Sequence, residues 1–432
     1  MGADIQMVLI MLGILIVFLA LGFPMVVPML LAPIVIMVFY LPTLDPMIIV
    51  QQLFAGAQTY SLMAIPMYIL AADIMCQGKI AHLLVDIMQS FIGHIHGGLA
   101  VATAAACSFF GAISGSCQAT MVAVGQPMRP RMLKMGYKDP DIIALIMNSA
   151  NIALLIPPSC LMIMFCVSAG TSIAELFLAG ILPGLLLFFL FSLYSWWLAK
   201  KNKTPTIPKA TWKERIGAVR RGILALGFPV IVLGGVYAGW FSVIESSAIS
   251  VVYALIVEMG IYKSVTWKDF YRIAKNTGIV TAAIFVLIAA GSAFSFVMTY
   301  AMIPQTVMKL LLGDAPSKAL MLTVITVMFW VANMFIDGMV AIIILVPIFF
   351  KTAVMLGIDP LQIGIIVVMQ GAIGGITPPF GCNIFTACAI YRKSYLDCIR
   401  GLWPYLLMMI FVSMLLIFFP SLSTCLVNWI YH

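Results

Sequence analysis

Small and polar residues interrupt four apolar segments of the chain, and these interruptions are where the sequence could do chemistry. The first lies at the Gly-Ala-Ile-Ser-Gly-Ser run of residues 111–116, and the second surrounds Pro157-Pro158. The third spans residues 333–338, and the fourth surrounds Pro378-Pro379. Side-chain oxygens there come from Ser114, Ser116, Asn148, Asn151, Asn333, Asp337, Thr377 and Asn383. Helix N-termini favour anions, whereas carbonyl and side-chain oxygens suit Na⁺, so both kinds of ligand are expected.

Asp337 is the strongest single candidate, because a carboxylate at membrane depth is costly and needs a cation or a proton as partner. The alternative is that Asp337 only caps a hairpin. Serine and asparagine in membrane helices often only bridge neighbouring helices, and Gly111 or Gly115 could serve close packing. Glu245 and Glu258 lie near the ends of apolar segments and are expected to face water.

The composition places these segments in a membrane. The 432 residues are 63% hydrophobic and 9% charged, with a mean hydropathy of +1.14, more apolar surface than a soluble domain could bury. The apolar runs have helix-spanning length and lack the alternation of barrel strands. The residues before the first run lack a basic signal region, so that run is expected to remain in the mature protein.

Several functional classes are excluded by what the sequence lacks. It contains no phosphate-binding Gly-Lys motif and no nucleophile–base arrangement, so no enzyme is predicted. The nine cysteines form no CxxC pair. The net charge of +8 comes from lysines and arginines gathered in loops without interleaved aromatic residues, which argues against a nucleic-acid partner.

The second half of the chain repeats marker residues of the first at an offset of 220. Phe109 matches Phe329, Pro127 matches Pro347, and Asp139-Pro140 matches Asp359-Pro360. The double prolines Pro157-Pro158 and Pro378-Pro379 match after a slip of one residue. This order of matches predicts a duplicated unit, as in many secondary transporters.

The predicted fold is an all-α polytopic membrane protein, an inverted-repeat elevator-type transporter with two re-entrant helical hairpins and two discontinuous helices. Five crossings and one hairpin per copy put the second copy on the opposite face, which inverts it. The first hairpin is expected to be re-entrant because each of its arms is too short to span. The first repeat (1–198) comprises scaffold helices 1–78, an interfacial arm helix 79–96, a hairpin and broken helix 97–167, and a crossing 176–198. A basic loop, 199–221, leads to the second repeat (222–432), with scaffold helices 222–300, arm helix 303–312, hairpin and broken helix 319–390, and final crossing 402–420.

Basic residues set the predicted orientation. Arg129, Arg131, Lys134 and Lys138 follow the first hairpin, and eight more lie between Lys200 and Arg221 against one acid, Glu214. Both clusters are assigned to the cytoplasm, which leaves the N- and C-termini outside.

Two stretches, FFGAISGSCQATMVAVGQPMRPRMLKMGY and ITPPFGCNIF, resemble the large membrane subunit of tripartite ATP-independent periplasmic (TRAP) transporters. The resemblance in layout covers essentially the whole chain. It implies an elevator-type carrier of the bacterial inner membrane, driven by a Na⁺ gradient and surrounded by membrane lipid. It also implies two partners: a small four-helix membrane subunit and a periplasmic binding protein that delivers an organic anion.

The resemblance further implies roles for individual residues. The substrate would be bound by Ser114, Gly115, Ser116, Asn151, Asp337, Pro379 and Asn383. Na⁺ would be bound by Ser114, Ser116, Asn148, Asn151, Pro158, Asp337, Gly338, Gly371, Thr377 and Pro378. Cys117-Gln118 departs from the smaller residues that often follow the first tip, so a standard substrate is not assumed.

The leading hypothesis is therefore Na⁺-coupled uptake of a small organic anion: a carboxylate, an acidic sugar or a sulfonate. One alternative is a proton-coupled carrier of the same architecture that uses Asp337. Another is a channel-like or non-transporting scaffold subunit. No basic side chain was found at the midplane to choose among the anions.

Overall fold

The structure, a computed structural model, describes residues 2–313 and 316–431. Met1 and His432, the ends assigned to the outer face, lie outside the described residues. All regular structure in the described part of the chain is helical, which confirms the all-α prediction.

Twenty-two α-helices follow one another along the described residues. The first half contains α1 Gly2–Ala20, α2 Val26–Tyr40, α3 Met47–Ala57, α4 Ala64–Gln77, α5 Ile80–Ile92, α6 Gly98–Ser114, α7 Cys117–Thr120, α8 Gln126–Lys134, α9 Asp139–Asn151, α10 Cys160–Ala169 and α11 Ile173–Lys201. The second half contains α12 Trp212–Tyr237, α13 Val243–Leu255, α14 Trp267–Tyr300, α15 Ile303–Leu312, α16 Lys318–Phe335, α17 Gly338–Met355, α18 Pro360–Gly374, α19 Cys382–Tyr391, α20 Tyr395–Ile399, α21 Trp403–Phe418 and α22 Ser421–Tyr431.

In the part of the chain that the structure describes, seven helices are long and apolar enough to cross a membrane, or eight if the bent pair α21–α22 counts as one span. The segments α16 and α17, predicted as arms of a hairpin, are 18 residues each and pass this test singly. The first hairpin differs, because its arm α6 has 17 residues and belongs to the shorter apolar helices.

The basic loop predicted at 199–221 is shorter in the structure. Helix α11 continues to Lys201, and α12 already begins at Trp212. Thr211 starts α12 with a capping box, in which its hydroxyl accepts from the backbone N–H of Glu214 while the Glu214 carboxylate accepts from the N–H of Thr211. Lys213, Arg220 and Arg221 therefore lie on a helix.

Three helices were absent from the sequence-based prediction: α3, α22 and the five-residue α20. Helix α3 packs along α14, and α22 turns by 60° from α21 to pack against α11. Both are only 11 residues long and follow proline-containing turns, so neither has the length that marks a crossing.

Helices around the four interruptions are buried, whereas α12 and α14 present large apolar side chains outward. Every residue of α6 except Phe109 is buried, and α9 is buried from Ile142 to Asn151. The many alanines of α6 let neighbouring backbones approach closely. By contrast, Val230 of α12 is 70% exposed, as expected of a lipid-facing side chain.

The prediction that Glu258 faces water is wrong, although Glu245 is indeed exposed. Glu258 is fully buried and accepts hydrogen bonds from the backbone N–H groups of Lys79 at 3.1 Å and Ile80 at 3.0 Å. The hydroxyl of Ser264 donates a further bond to its carboxylate. Glu258 thereby holds the start of α5 against the end of the helical segment that continues α13.

Candidate functional site

The first tip is a tight turn between α6 and α7. Gly115 adopts a left-handed conformation at φ +58°, which glycine tolerates best. Ser116 caps α7, since its hydroxyl accepts from the backbone N–H of Ala119 at 3.4 Å. Ser114 donates from its hydroxyl to the Ser116 carbonyl at 3.1 Å, which closes the turn on itself.

The first tip packs directly on the first break. Helix α9 ends at Asn151, a short 3₁₀ turn covers residues 152–154, and α10 begins at Cys160 after the cis Pro157-Pro158 bond. A Cβ atom added at Gly115 would lie 2.7 Å from the carbonyl oxygen of Pro158. Only a glycine therefore allows this approach.

The second tip and break have a related arrangement. Asp337 caps α17, and its Oδ1 accepts from the backbone N–H of Met339 at 2.9 Å. Helix α18 ends at Gly374, which packs against Asn333 with no room for a side chain. Helix α19 begins at Cys382 after the cis Pro378-Pro379 bond.

Asn383 joins the first tip and the two breaks in one hydrogen-bond network. Its Nδ2 donates to Oδ1 of Asn151 at 2.8 Å, and Nδ2 of Asn151 donates to the Ala372 carbonyl at 3.3 Å. Oδ1 of Asn383 accepts from Nε2 of Gln118 at 3.1 Å and from the Cys117 thiol at 3.3 Å. The unusual Cys117-Gln118 pair is thus part of this network.

A cavity of about 700 Å³ lies beside the network. Among the predicted side-chain and backbone positions, eight line it: Ser114, Gly115, Ser116, Asn333, Asp337, Gly338, Gly371 and Asn383. The opposite wall comes from α4 and α14 and is mainly apolar, with Ile69, Ala283 and Ile284. Four helices begin at the cavity wall, at Cys117, Cys160, Gly338 and Cys382.

The remaining predicted residues lie behind the cavity wall or away from it: Asn148, Asn151, Pro158, Thr377, Pro378 and Pro379. Thr377 accepts from the Trp330 indole N–H at 3.0 Å and donates to the Ile373 carbonyl at 2.7 Å. Pro379 is exposed, and its carbonyl accepts from the Tyr395 hydroxyl at 3.0 Å.

Among the described residues, three buried side-chain oxygens near the tips and breaks have no hydrogen-bond partner: Oδ1 of Asn148, Oγ of Ser149 and Oδ1 of Asn333. Each of the two asparagines uses its Nδ2 on a carbonyl four residues earlier, Ala144 or Phe329, at 2.7 Å. Neutral oxygens of this kind fit a hard cation such as Na⁺. Within residues 2–313 and 316–431, no group of three or more His, Cys, Asp or Glu could hold a metal ion.

The sequence reasoning missed Asp73, which lines the cavity from α4. Its Oδ2 accepts from the Thr277 hydroxyl of α14 at 2.7 Å. The signal was present, because Asp73 stands within an apolar segment just as Asp337 does.

Residues 12–422 match the family described as "Tripartite ATP-independent periplasmic transporter, DctM component". The chain belongs to this family. It is 47% identical over 412 residues to the ectoine/5-hydroxyectoine TRAP transporter large permease UehC of Ruegeria pomeroyi, covering 94% of this chain and 96% of that protein. It is 47% identical over 418 residues to the ectoine permease TeaC of Halomonas elongata, covering 96% and 98%.

A more distant relative carries the name of a permease for another substrate, and one solved structure shares the fold. The C4-dicarboxylate permease DctM of Pseudomonas aeruginosa is 33% identical over 379 residues, covering 88% of this chain and 89% of that protein. The YdaH transporter of Alcanivorax borkumensis shares the fold at a TM-score of 0.61 and 15% identity, with 88% of each chain covered. The TRAP large permease is thus a transporter subunit, a multi-pass inner-membrane protein and not an enzyme. Permeases of this family work with a small membrane subunit and a periplasmic binding protein.

Proposed function

We propose that this TRAP large permease takes up a small organic solute that bears a carboxylate together with Na⁺, and that ectoine and 5-hydroxyectoine are the first substrates to test. The observation that carries the proposal is the convergence of four helix starts on one cavity. Backbone N–H groups and the positive helix ends there favour a carboxylate in a site whose described lining residues include no basic side chain. The two relatives at 47% identity carry the names of ectoine permeases, which selects the first compounds.

Na⁺ coupling is supported by the unpartnered oxygens of Asn148 and Asn333. A buried carbonyl oxygen without a donor costs free energy unless a ligand satisfies it. One such oxygen lies in each half of the chain, near the first break and at the second tip. This arrangement favours one Na⁺ site in each half.

An elevator movement is supported by the composition of the cavity walls. One wall is made by the tips and breaks: Asn383 links the first tip and the two breaks by hydrogen bonds, and Gly374 of the second break packs on Asn333 of the second tip. The other wall, from α4 and α14, is largely apolar. Apolar surfaces lack directional bonds, so the inverted pair of hairpins and broken helices could slide past this scaffold as a unit. In this arrangement both chain ends face the periplasm, and the binding protein delivers the substrate there.

Uptake by proteoliposomes tests the proposal. The permease is reconstituted with its small membrane subunit, and ectoine is supplied with the periplasmic binding protein. We expect uptake when Na⁺ is high outside and none when K⁺ replaces it. Asn333→Ala should weaken the Na⁺ dependence, whereas Asn202→Ala, at an exposed position, should leave it unchanged. Uptake that is indifferent to the Na⁺ gradient would overturn the proposal.

Proton coupling through Asp337 remains the second candidate, because this carboxylate caps α17 at the cavity wall. It predicts uptake driven by a pH gradient in the absence of Na⁺, and loss of that dependence in Asp337→Asn. The same proteoliposomes distinguish the two modes of coupling.

A further inference from the structure

The cavity has an acidic side chain on each of its two walls. Asp337 lies at the second tip and Asp73 on α4 of the opposite wall, and the described lining residues include no lysine, arginine or histidine. The Thr277 hydroxyl is the one hydrogen-bond partner of Asp73 in the described part of the chain, and no ion pair involves Asp73 there. Asp73 is half-buried.

An unpaired carboxylate at membrane depth is costly, and a single hydroxyl does not neutralise it. Asp337 has at least the start of α17 as a compensating dipole, since it caps that helix. Asp73 lies in the interior of α4, ten residues into a helix that begins at Ala64, and has no helix start of its own to cap. Its negative charge therefore points to a positively charged ligand.

A second, independent observation supports the same conclusion. Oδ1 of Asn333 lines the cavity wall, is buried and accepts no hydrogen bond. Acceptor oxygens of Asp73 and Asn333 thus lie around one cavity whose described lining residues carry no positive charge, so they favour positively charged partners: the proposed Na⁺ at Asn333 and a cationic group at Asp73. A carboxylate alone offers no positive charge.

We infer that the cavity takes a zwitterion, whose carboxylate faces the four helix starts and whose cationic group faces Asp73. The inference rests on the proposed transport function and deepens it by naming the charge class of the substrate. Asp73 is then a specificity-determining residue, held in place by Thr277. A dianion such as succinate would meet like charges at both walls, which disfavours its binding.

Protection of a cavity thiol from alkylation tests this inference directly. Cys382 is exposed and lines the cavity, while Cys425 is exposed elsewhere and serves as an internal control in the same sample. Alkylation of each thiol by a maleimide is followed by peptide mass spectrometry in the purified permease–small-subunit complex with Na⁺. Three compounds are compared: ectoine, whose six-membered ring bears an amidinium and a carboxylate; cyclohexanecarboxylate, a ring of similar size without the cation; and succinate.

We expect ectoine to slow alkylation of Cys382 and the other two compounds to require at least about tenfold higher concentration, as a charge-assisted hydrogen bond predicts. Asp73→Asn should raise the half-protecting concentration of ectoine by about tenfold or more, with little change for cyclohexanecarboxylate. Asp73→Glu should restore part of the protection by ectoine. Thr277→Val should reduce that protection less than Asp73→Asn does. The charge-matched control Asp45→Asn removes an exposed carboxylate outside the cavity and should behave as the unmodified protein.

Two results would overturn the inference: equal protection by ectoine and cyclohexanecarboxylate, or unchanged ectoine protection in Asp73→Asn. Na⁺-driven uptake separates this failure from that of the proposed function. If the unmodified permease and Asp73→Asn both take up ectoine with Na⁺ and with equal affinity, Asp73 has no role in specificity. The proposed transport function is retained in that case. Uptake that does not respond to Na⁺ removes the proposed function itself.

Discussion

Asn383 donates a 2.8 Å hydrogen bond from its Nδ2 to Oδ1 of Asn151, although the two residues are 232 positions apart. Each asparagine belongs to one broken helix, and both side chains are buried. The bond therefore ties the two halves of the chain together at the place where both backbones leave the helical path. It also fixes the orientation of Asn383, whose Oδ1 holds Gln118 of the first tip.

The Asn151–Asn383 bond should be measurable in a double-mutant cycle. We expect Asn151→Ala to lower the free energy of unfolding by about 1 to 3 kcal/mol, because it leaves buried donor and acceptor atoms of Asn383 and Ala372 unpaired. The double variant with Asn383→Ala should lose about 1 kcal/mol less than the sum of the single variants. Thermal unfolding in detergent measures the stability of each variant, with Asn202→Ala as an exposed control. Strict additivity would show that the bond contributes nothing.

Replacement of Gly115 should disrupt the structure of the first tip. Gly115 and Gly136 both have positive φ, +58° and +82°, but only at Gly115 would a Cβ meet a neighbour, the Pro158 carbonyl at 2.7 Å. Alanine at either position should cost about 1 kcal/mol of stability from the backbone alone. Gly115→Ala should in addition push the tip away from the break and lower ectoine uptake by about tenfold or more, while Gly136→Ala should not. Equal uptake by the two variants would contradict this role.

The positions of the tips and breaks follow from local signals, and for that reason the sequence could predict them. Glycine, proline and paired polar residues interrupt apolar runs at 114–116 and around Pro157-Pro158, and the helices end there in the structure. The repeat offset then located the second set, whose helices end at Phe335 and Gly374.

Contacts between distant segments could not be predicted in this way. Nothing near Asn151 specifies that its partner is Asn383, because that pairing depends on how the helices pack. Glu258 shows the same limit: its position near the end of an apolar segment favours water, but the start of α5 lies against it and supplies two N–H donors.

Glu258 should be among the most sensitive acidic residues for stability. Glu258→Ala would leave the N–H groups of Lys79 and Ile80 without acceptors, and we expect a loss of about 3 kcal/mol or more in the free energy of unfolding. Glu245→Ala offers a matched control at the start of α13, the helix that the Glu258 segment continues, where the loss of an exposed capping box should cost less stability. Thermal unfolding of both variants in the same detergent compares them. Similar losses of stability in the two variants would show that the burial of Glu258 does not increase its contribution to stability.

Arg129, Asp139 and Lys393 form an ion cluster that links the base of the first hairpin to the end of α19. Asp139 accepts from Arg129 Nε at 2.6 Å and contacts Lys393 Nζ at 2.9 Å. The bidentate Arg129 interaction, aided by Lys393, lowers the pKa of the Asp139 carboxyl. Since the folded pKa is lowered, the cluster contributes stability above the unfolded pKa of about 4 and loses it as the pH falls through the folded value.

Asp139→Asn should accordingly lower stability by about 1 kcal/mol at pH 7 and abolish this acid-dependent part of the unfolding curve. Asp86→Asn breaks a more exposed pair with Arg131 and is expected to have a smaller effect. The thermal unfolding of the three proteins is compared from about pH 3 to about pH 7, a range that contains the carboxyl pKa values. An Asp139→Asn curve parallel to that of the unmodified protein would contradict the assignment.

Na⁺ should stabilise the folded permease through the unpartnered oxygens of Asn148 and Asn333. Replacing K⁺ by Na⁺ at a concentration of about 100 times the dissociation constant should add about 2.7 kcal/mol per site to the free energy of unfolding. Asn333→Ala and Asn148→Ala should each remove part of this increment, because each deletes one oxygen ligand. Thr306→Ala, which alters a half-buried side chain on α15 outside the tips and breaks, should retain it in full. A thermal shift that is the same in Na⁺ and K⁺ would exclude these oxygens as Na⁺ ligands, whatever the uptake assay shows.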